Sequence, residues 1–396
     1  MGINLWSQNK PQDFWQCEPA FGNDLWEEAT LRALPELNLV ENPANIDDLL
    51  KFILGESQFG VDHWQLSQMR RLYYDLKPFL PRWLTRSLRR LLQSKHTRGF
   101  ELGWPIEERF PRFQFDVLKN VLELSGQPSI RFRSLWPTGK RFSLVLTHDV
   151  ETDKGQKFVR RVADLEENLG FRSSFNFIPE AYRVDIGLLN ELRQRGFEVG
   201  IHGLKHDGKL FSSRAEFDKR VVKINRYLKD FNAVGFRAPL TQRHPEWMQA
   251  LDIEYDLSFF DTDPFEPISG GTMSIWPFSL GHFVELPYTL AQDYTLTSVL
   301  GETTPKIWLE KVDFIAKYHG MALVNSHPDY LLMQSTWNVY SQFLNSMKTR
   351  SDYWHALPCD AARWWQRRAS SGRDDVNYAG GFTEATLENG FLEIKN

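Results

Sequence analysis

Six side chains of this sequence could do chemistry together: Asp149, Glu151, His202, His206, Arg237 and His327. Asp149 and Glu151 close the apolar run SLVLTHDVE (143–151), and residues two apart on a strand point to the same side. Their carboxylates can reach one cavity, with Val150 turned the other way. Two carboxylates at a strand end cost free energy unless a cation or hydrogen bonds satisfy them. His202 and His206 end and follow FEVGIH, Arg237 follows AVGF, and His327 follows MALVNS. A carboxylate with two imidazoles is an N/O ligand set suited to Zn²⁺, Fe²⁺ or Co²⁺, with positions left for water and substrate. Such donors cost little to deprotonate near neutral pH. Taken singly, each piece is weak, because a His-x₃-His pair arises by chance and an Arg near a Pro is usually structural. Their order, each at a strand terminus, carries the inference.

The elements that must position these residues alternate regularly between 141 and about 330. Runs read as strands are SLVLTHDV, RSSFNFIP, FEVGIH, AVGFRAP, YDLSFF, HFVELPYT and MALVNSHP. Between them lie helical stretches: FVRRVADLEENLG closed by Gly170, GLLNELRQRG, SRAEFDKRVVKINRYLKDF with Ser213 at its cap, PEWMQALDI and IWLEKVDFIAKYHG. Alternation of this kind predicts an α/β fold with parallel strands inside helices, and at least six strands suggest a (β/α) barrel. In such barrels chemistry gathers at the C-terminal ends of the strands, where the six residues fall.

These motifs resemble those of the polysaccharide deacetylases, the NodB-homology family (carbohydrate esterase family 4), over roughly 141–330. LTHDVE resembles the family's first motif, IHGLKHD the second and GFRAP the third, while YDLSFFDTDPF and NSHPDY stand in the places of the fourth and fifth. The resemblance implies a distorted (β/α) barrel. It implies Asp149 as catalytic base, Arg237 as the residue that orients it, and His327 as the acid, with Asp263 (or Asp261) as partner of His327. It implies Glu151, His202 and His206 as ligands of a divalent ion, with zinc the expected one. Pro239, beside Arg237, and Tyr288, with Pro287 after HFVEL, are read as lining the cleft. Many family members have adjacent aspartates where this chain has Asp149-Val150-Glu151, so the longer Glu stem has to fold back. His148 is read as packing, and His244, His282 and His319 as structural.

The flanks say less. Residues 1–135 read as a mostly helical, irregular extension, 136–370 as the barrel, and 371–396 as a tail with a hairpin about Asn389-Gly390. ENPANIDDLLKFILG is a helix entered through Asn45; GWPIEERFPRFQFD (103–116) reads as irregular, VLKNVLELSGQP as a short helix, and HALPCDAARWWQRR as a helix. RWLTRSLRRLLQSK (82–95) is a basic amphipathic stretch, read as a packed helix with a solvated basic face in preference to a membrane contact. A net charge of −4 gives no pull toward nucleic acid, and two cysteines, Cys17 and Cys359, allow no disulfide framework or thiolate cluster. The 14 tryptophans are read as core rather than as a sugar platform. MGINLWSQNKPQDFW lacks the pattern of a secretory signal, and no apolar run approaches the ~20 residues of a membrane helix, so a cytoplasmic protein is expected. The function expected is a metal-dependent hydrolase that removes the N-acyl group of a sugar or of a lipid- or nucleotide-linked sugar precursor. The alternatives are an amidohydrolase acting on a cyclic amide or ureide, and a carbohydrate-binding scaffold without turnover.

Overall fold

Two sheets organise the computed structural model, which describes residues 4–39, 43–60, 62–67, 99–370 and 380–395. The smaller sheet starts with β1 (Cys17–Glu18) and β2 (Ser129–Arg133), paired antiparallel. The larger takes β3 (Phe142–Val150), β4 (Ser174–Phe177), β5 (Glu198–His202), β6 (Gly235–Arg237), β7 (Tyr255–Asp256), β8 (Phe278–Leu280), β9 (Phe283–Glu285), β10 (Met321–Ser326) and β11 (Tyr353–Ala356). Its order is β10-β3-β4-β5-β6-β7-β9-β8, with β11 beside the first half of β3. All neighbours are parallel except β8 and β9. Last come β12 (Phe382–Glu388) and β13 (Phe391–Lys395), a hairpin that pairs with β2.

β3 is the axis of the large sheet. All nine of its residues are buried, as its unbroken apolar run requires of a strand covered on both faces. It pairs with β10 from Ser143 to His148 and with β4 from Thr147 to Val150. The helix Asp153–Leu169 that follows is capped by the Thr152 side chain, which accepts from Gly155 N at 3.2 Å, and stops at Gly170 in the left-handed region. Val159, Val162, Ala163 and Glu166 share its inner face. Ser213 caps the helix Arg214–Asp230 in the same way.

The sheet curls until its ends nearly meet, and the seam is made without a ladder. Past β9 the chain touches Phe260 through Tyr288 and Val324 of β10 through Leu290. Thr289 Oγ1 donates to Met321 O at 2.8 Å and accepts from Leu323 N at 3.0 Å, sewing the seam with a side chain. HFVELPYT is therefore a strand only over Phe283–Glu285. Pro287 has no N–H to give a ladder, so pairing breaks there. YDLSFF is likewise shorter than expected, because Ser258 N and Oγ both donate to the Asp256 carboxylate and turn the chain. PEWMQALDI is helical only over Pro245–Met248.

In the flanks, Asn45 caps Ile46–Ile53 as its sequence indicates, accepting from Asp48 N at 2.9 Å. The segment read as irregular is helical from Arg109, and one helix runs through to Ser125. Pro111 is harmless there because the first turn of a helix has no use for its missing N–H. His355 and Ala356 belong to β11, and the helix after them starts at Pro358. The hairpin turn is as expected, with Asn389 and Gly390 both at positive φ. The basic stretch 82–95 lies outside the described residues. Trp15, Trp136, Trp276 and Trp308 are fully buried. Trp136 and Trp276 both donate to His319 O at 2.9 Å within the barrel, and Trp364 Nε1 donates to Leu135 O at 2.9 Å, tying the extension to it. No helix among the described residues is long and apolar enough to cross a membrane.

Thr289→Val keeps the shape of the seam but leaves Leu323 N and Met321 O without this partner. The expected loss is about 1–3 kcal/mol of stability, read from the urea midpoint, with faster hydrogen exchange at Leu323; an unchanged midpoint would mean that the seam is not held by this side chain.

Candidate active site

The end of β3 brings Asp149 into a nest of donors. Its Oδ1 accepts from Arg237 Nη1 and from Asn176 Nδ2, both at 3.0 Å, and its Oδ2 from Asn325 Nδ2 at 3.1 Å. Strand register explains two of these, since Asn176 is paired with Asp149 across β3–β4 and Asn325 stands on β10. Burial would raise the carboxyl's pKa, but Arg237, then His202 and His327 (each 3.9 Å away) and Asn176 outweigh it. The group is held well below its usual range and is ionised.

Arg237 is 0% exposed and has its fork fully engaged. Nε donates to Leu257 O at 2.8 Å, Nη1 also to Asn325 Oδ1 at 2.7 Å, and Nη2 to Thr147 Oγ1 at 3.0 Å. Its own carbonyl accepts from His202 Nδ1 at 3.1 Å, which leaves Nε2 of that ring as the acceptor. Burial first, then the neighbouring His206 and Arg237 charges, push His202 down to about 4, so the ring is neutral at neutral pH.

Glu151, His202 and His206 each offer a donor atom, and these atoms lie within 4.8 Å of one another. Glu151 Oε1 is 3.1 Å from His206 Nε2. Burial opposes ionisation of Glu151, but His206, His327 and His202 overcome it and hold the carboxyl well below its ordinary range. An ionised carboxylate and neutral imidazoles are what a divalent cation takes. A tetrahedral ion with bonds of about 2.1 Å spaces its donors roughly 3.4 Å apart, so the set fits in type and in scale. The Asp-x-Glu spacing works because the backbone is pinned: Glu151 N donates to Asp329 Oδ2 at 2.9 Å, and Thr152 Oγ1 donates to Asp329 Oδ1.

His327 closes the constellation from the other side. Its Nε2 stands 3.9 Å from Asp149 Oδ2 and 4.0 Å from Glu151 Oε1. Its Nδ1 donates to Asp293 Oδ1 at 2.7 Å, and its backbone N–H to Asp293 Oδ2 at 2.9 Å. Burial lowers the imidazole's pKa, but Asp293 first, then Glu151 and Asp149, raise it to about 10. The ring is an imidazolium at neutral pH, next to an ionised carboxylate.

With this geometry the chain can be set beside solved structures. No protein-family model matches the sequence, and no curated protein matches it. A probable polysaccharide deacetylase from Pseudomonas aeruginosa PAO1 superposes with a TM-score of 0.50 at 15% identity, over 59% of this chain and 94% of that one. The fold is that of the polysaccharide deacetylases. An allantoinase gives 0.49 at 15% identity over 60% and 94%, and a Mycobacterium smegmatis chain assigned as a polysaccharide deacetylase gives 0.48 at 17% over 60% and 94%.

Within the deacetylase fold, five of the expected residues stand as a connected group with the sixth, Arg237, behind Asp149. Asp263 does not join them. It pairs with the Tyr288 hydroxyl, which donates to it at 3.1 Å, and accepts from Phe265 N at 2.7 Å. Asp261 is paired with buried Lys311 at 2.5 Å. The partner of His327 is Asp293, which sequence reasoning missed. Its signal was present, since it lies four positions past Thr289, at the far end of the segment that closes the barrel. Tyr288 is 1% exposed with its hydroxyl committed to Asp263, so it forms wall structure rather than open cleft surface. Pro239 is buried as well and has a different task. Its ring lies where a Cβ on Gly203 (φ +61) would come within 2.4 Å, so it presses on the turn between His202 and His206. His148 packs as expected, stacked on Phe175 with ring centroids 4.6 Å apart, and is tied to Glu166 at 2.7 Å and Ser326 Oγ at 2.8 Å.

A histidine whose pKa rises from 6.5 to about 10 on folding contributes stability that is full below pH 6.5 and is lost as pH climbs toward 10. Asp293→Asn removes the main cause. The stability gap between the parent protein and this variant, measured by denaturant titration, should be widest below pH 6.5 and narrow steadily up to about pH 10; a gap independent of pH rules out the pairing.

Proposed function

We propose that this chain is a metal-dependent hydrolase that removes the N-acyl group of a sugar or of a carrier-linked sugar precursor. The observation that carries the reading is the juxtaposition of three parts in one buried cluster. An ionised Asp149 is clamped by Arg237, a protonated His327 stands 3.9 Å from it, and a Glu-His-His donor set lies alongside. The ordered motifs and the deacetylase fold favour an N-acyl sugar as the substrate class.

Glu151, His202 and His206 would hold the ion. When bound there, a divalent cation supplies Lewis acidity toward the amide carbonyl and acidifies water, which a base as weak as this Asp149 requires. Asp149 accepts the proton of the attacking water, and its Oδ2, bonded only to Asn325 among its close donors, is the oxygen free to do so. Arg237 and Asn176 fix the other oxygen and so set the direction of the free lone pair. His327 delivers its Nε2 proton to the departing amine from the opposite side. Asp293 keeps that ring charged and correctly turned. Burial of Asp149, Arg237, His202 and His327 excludes bulk water around them, which strengthens each charge interaction.

His202→Ala should abolish both bound metal, measured by elemental analysis, and acetate release from N-acetylhexosamine derivatives. Asp149→Asn should keep the metal and lose turnover by a factor of about 10²–10⁴. Full activity in Asp149→Asn would exclude this residue as the base. Ring opening of a ureide without acetate release would move the substrate to cyclic amides, and protein that takes up no divalent ion on soaking would point to a scaffold without turnover.

A further inference from the structure

The loop leaving β6 should be open surface in a bare barrel, since connections at strand ends face water. Here it is sealed: Leu240, Thr241, Gln242 and Arg243 are 9%, 3%, 3% and 2% exposed. The seal comes from Glu56, His63, Trp64 and Leu66 of the N-terminal extension. Arg243 Nη2 donates to Glu56 Oε1 at 2.6 Å, and its Nε to Glu56 Oε2, with the guanidinium 4.4 Å above the Phe260 ring. Glu56 Oε1 also accepts from Gly271 N at 2.8 Å. The fit is close, because a Cβ on Gly270 would come within 2.9 Å of Glu56 Oε1 and 2.8 Å of His63 Nε2. Further along, Trp64 rests on His244 and Trp247, and Leu66 joins Leu240 and Ile268 in a small apolar cluster separate from the main core.

This sealed loop borders the chemistry on both sides. Toward the donor set, Pro239 presses on Gly203 and Gln242 Nε2 donates to Gly208 O at 3.3 Å. Toward the acid, Thr241 Oγ1 and Gln292 Nε2 both donate to Glu266 at 2.7 Å, and Gln292 precedes Asp293. The other side of the site is the wet one. The side chains of Glu151 and His206 are 22% and 18% exposed, against 2%, 3% and 5% for Asp149, His202 and His327.

A polymer bound at an internal residue must run past the reacting group in two directions, whereas a chain end or a single sugar needs only one opening. We propose that residues 56–60 and 62–66 turn the cleft into a one-ended pocket, which admits the terminal residue of an N-acyl sugar, or a single sugar derivative, and refuses internal residues of a polymer. The wall is fixed rather than a swinging lid, because opening it would break the buried, two-point Glu56–Arg243 ion pair.

This inference rests on the deacylase reading, and its test separates the two. Full-length, metal-loaded protein is given N-acetylglucosamine and its β-1,4-linked dimer, tetramer and hexamer, and acetate released per molecule is counted. Affinity for the same series is measured by calorimetry on Asp149→Asn. The expected result is no more than one acetate per oligomer and an affinity that does not grow with length. Several acetates from each hexamer, or affinity rising with each added sugar, overturns the pocket and leaves the deacylase reading standing. Neither acetate nor binding from any member overturns both. Leu66→Ala, which trims the wall outside the main core, should raise the hexamer-to-monomer rate ratio about tenfold; a ratio that stays put in folded protein also overturns the assignment.

Discussion

The Asp149–Arg237 pair is buried inside the barrel, 2% and 0% exposed, and its neighbours on four segments are arranged around it. Two ions taken out of water lose several kcal/mol of hydration each, and they recover it only if their remaining hydrogen-bonding positions are filled. Arg237 fills them with Leu257 O, Asn325 Oδ1 and Thr147 Oγ1, while Asp149 uses Asn176 and Asn325. These partners come from β3, β4, β10 and the turn after β7. The pair is therefore also a clamp on how far the sheet curls. A strand shifted by one residue would turn Asn176 or Asn325 to the other face and strand a charge.

Around this pair, neighbouring carboxyls have their pKa values pushed down or up by what faces them. Asp149 and Glu151 face guanidinium and imidazole, and both are held below their usual range. Asp256 and Glu285 stand opposite each other in register on β7 and β9; burial raises both, and the Asp256 charge raises Glu285 further. Burial also raises Asp263 and Glu266, and the Glu266 charge adds to the rise at Asp263. One sheet end thus holds acids whose pKa values are pushed in opposite directions. A neutral carboxyl donates a hydrogen bond to its neighbour where an ionised one could only repel it.

The site was largely legible because it follows a rule that survives without coordinates. Chemically active residue types occur where apolar runs stop, and the parallel sheet gathers those stops at one end. The rule worked for Asp149, Glu151, His202, Arg237 and His327, whose strands are continuous. It failed for Asp293, since the segment before it is interrupted by Pro287 and closes the ring through isolated bridges instead of a ladder. The same interruption made DTDP look nearer to His327 than it is. Asn176 and Asn325 were missed for another reason: an amide inside an apolar run has no pattern of its own, and its value appears only once register sets it beside Asp149. Helix caps at Asn45 and Ser213 are local chemistry and were read from the chain, whereas Thr152, which starts its helix ahead of the FVRRVADLEENLG stretch, was not. The long helix through Pro111 was hidden by a residue whose effect depends on its distance from the helix start.

The extension is harder to read for a reason that also explains what it does. Its strand β2 lies between β1 and β12, so a sheet needs both ends of the chain before it exists, and neither end carries enough alternation to announce a partner 249 positions away, the separation of Ser134 and Thr383 whose hydroxyls meet at 2.8 Å. Its ties, Trp15 to Gln114 O within it and Trp364 of the barrel to Leu135 O, likewise join segments that share no local pattern. Solved deacetylase folds cover about three fifths of this chain while being matched over nearly all of their own length. The described residues of the extension, Trp15, Leu50 and Phe113 among them, share one continuous core with the barrel. A segment so bound cannot move independently of the strands it covers. Its contribution to the site is therefore one of shape, set when the protein folds, and any selectivity it confers is fixed before a substrate arrives.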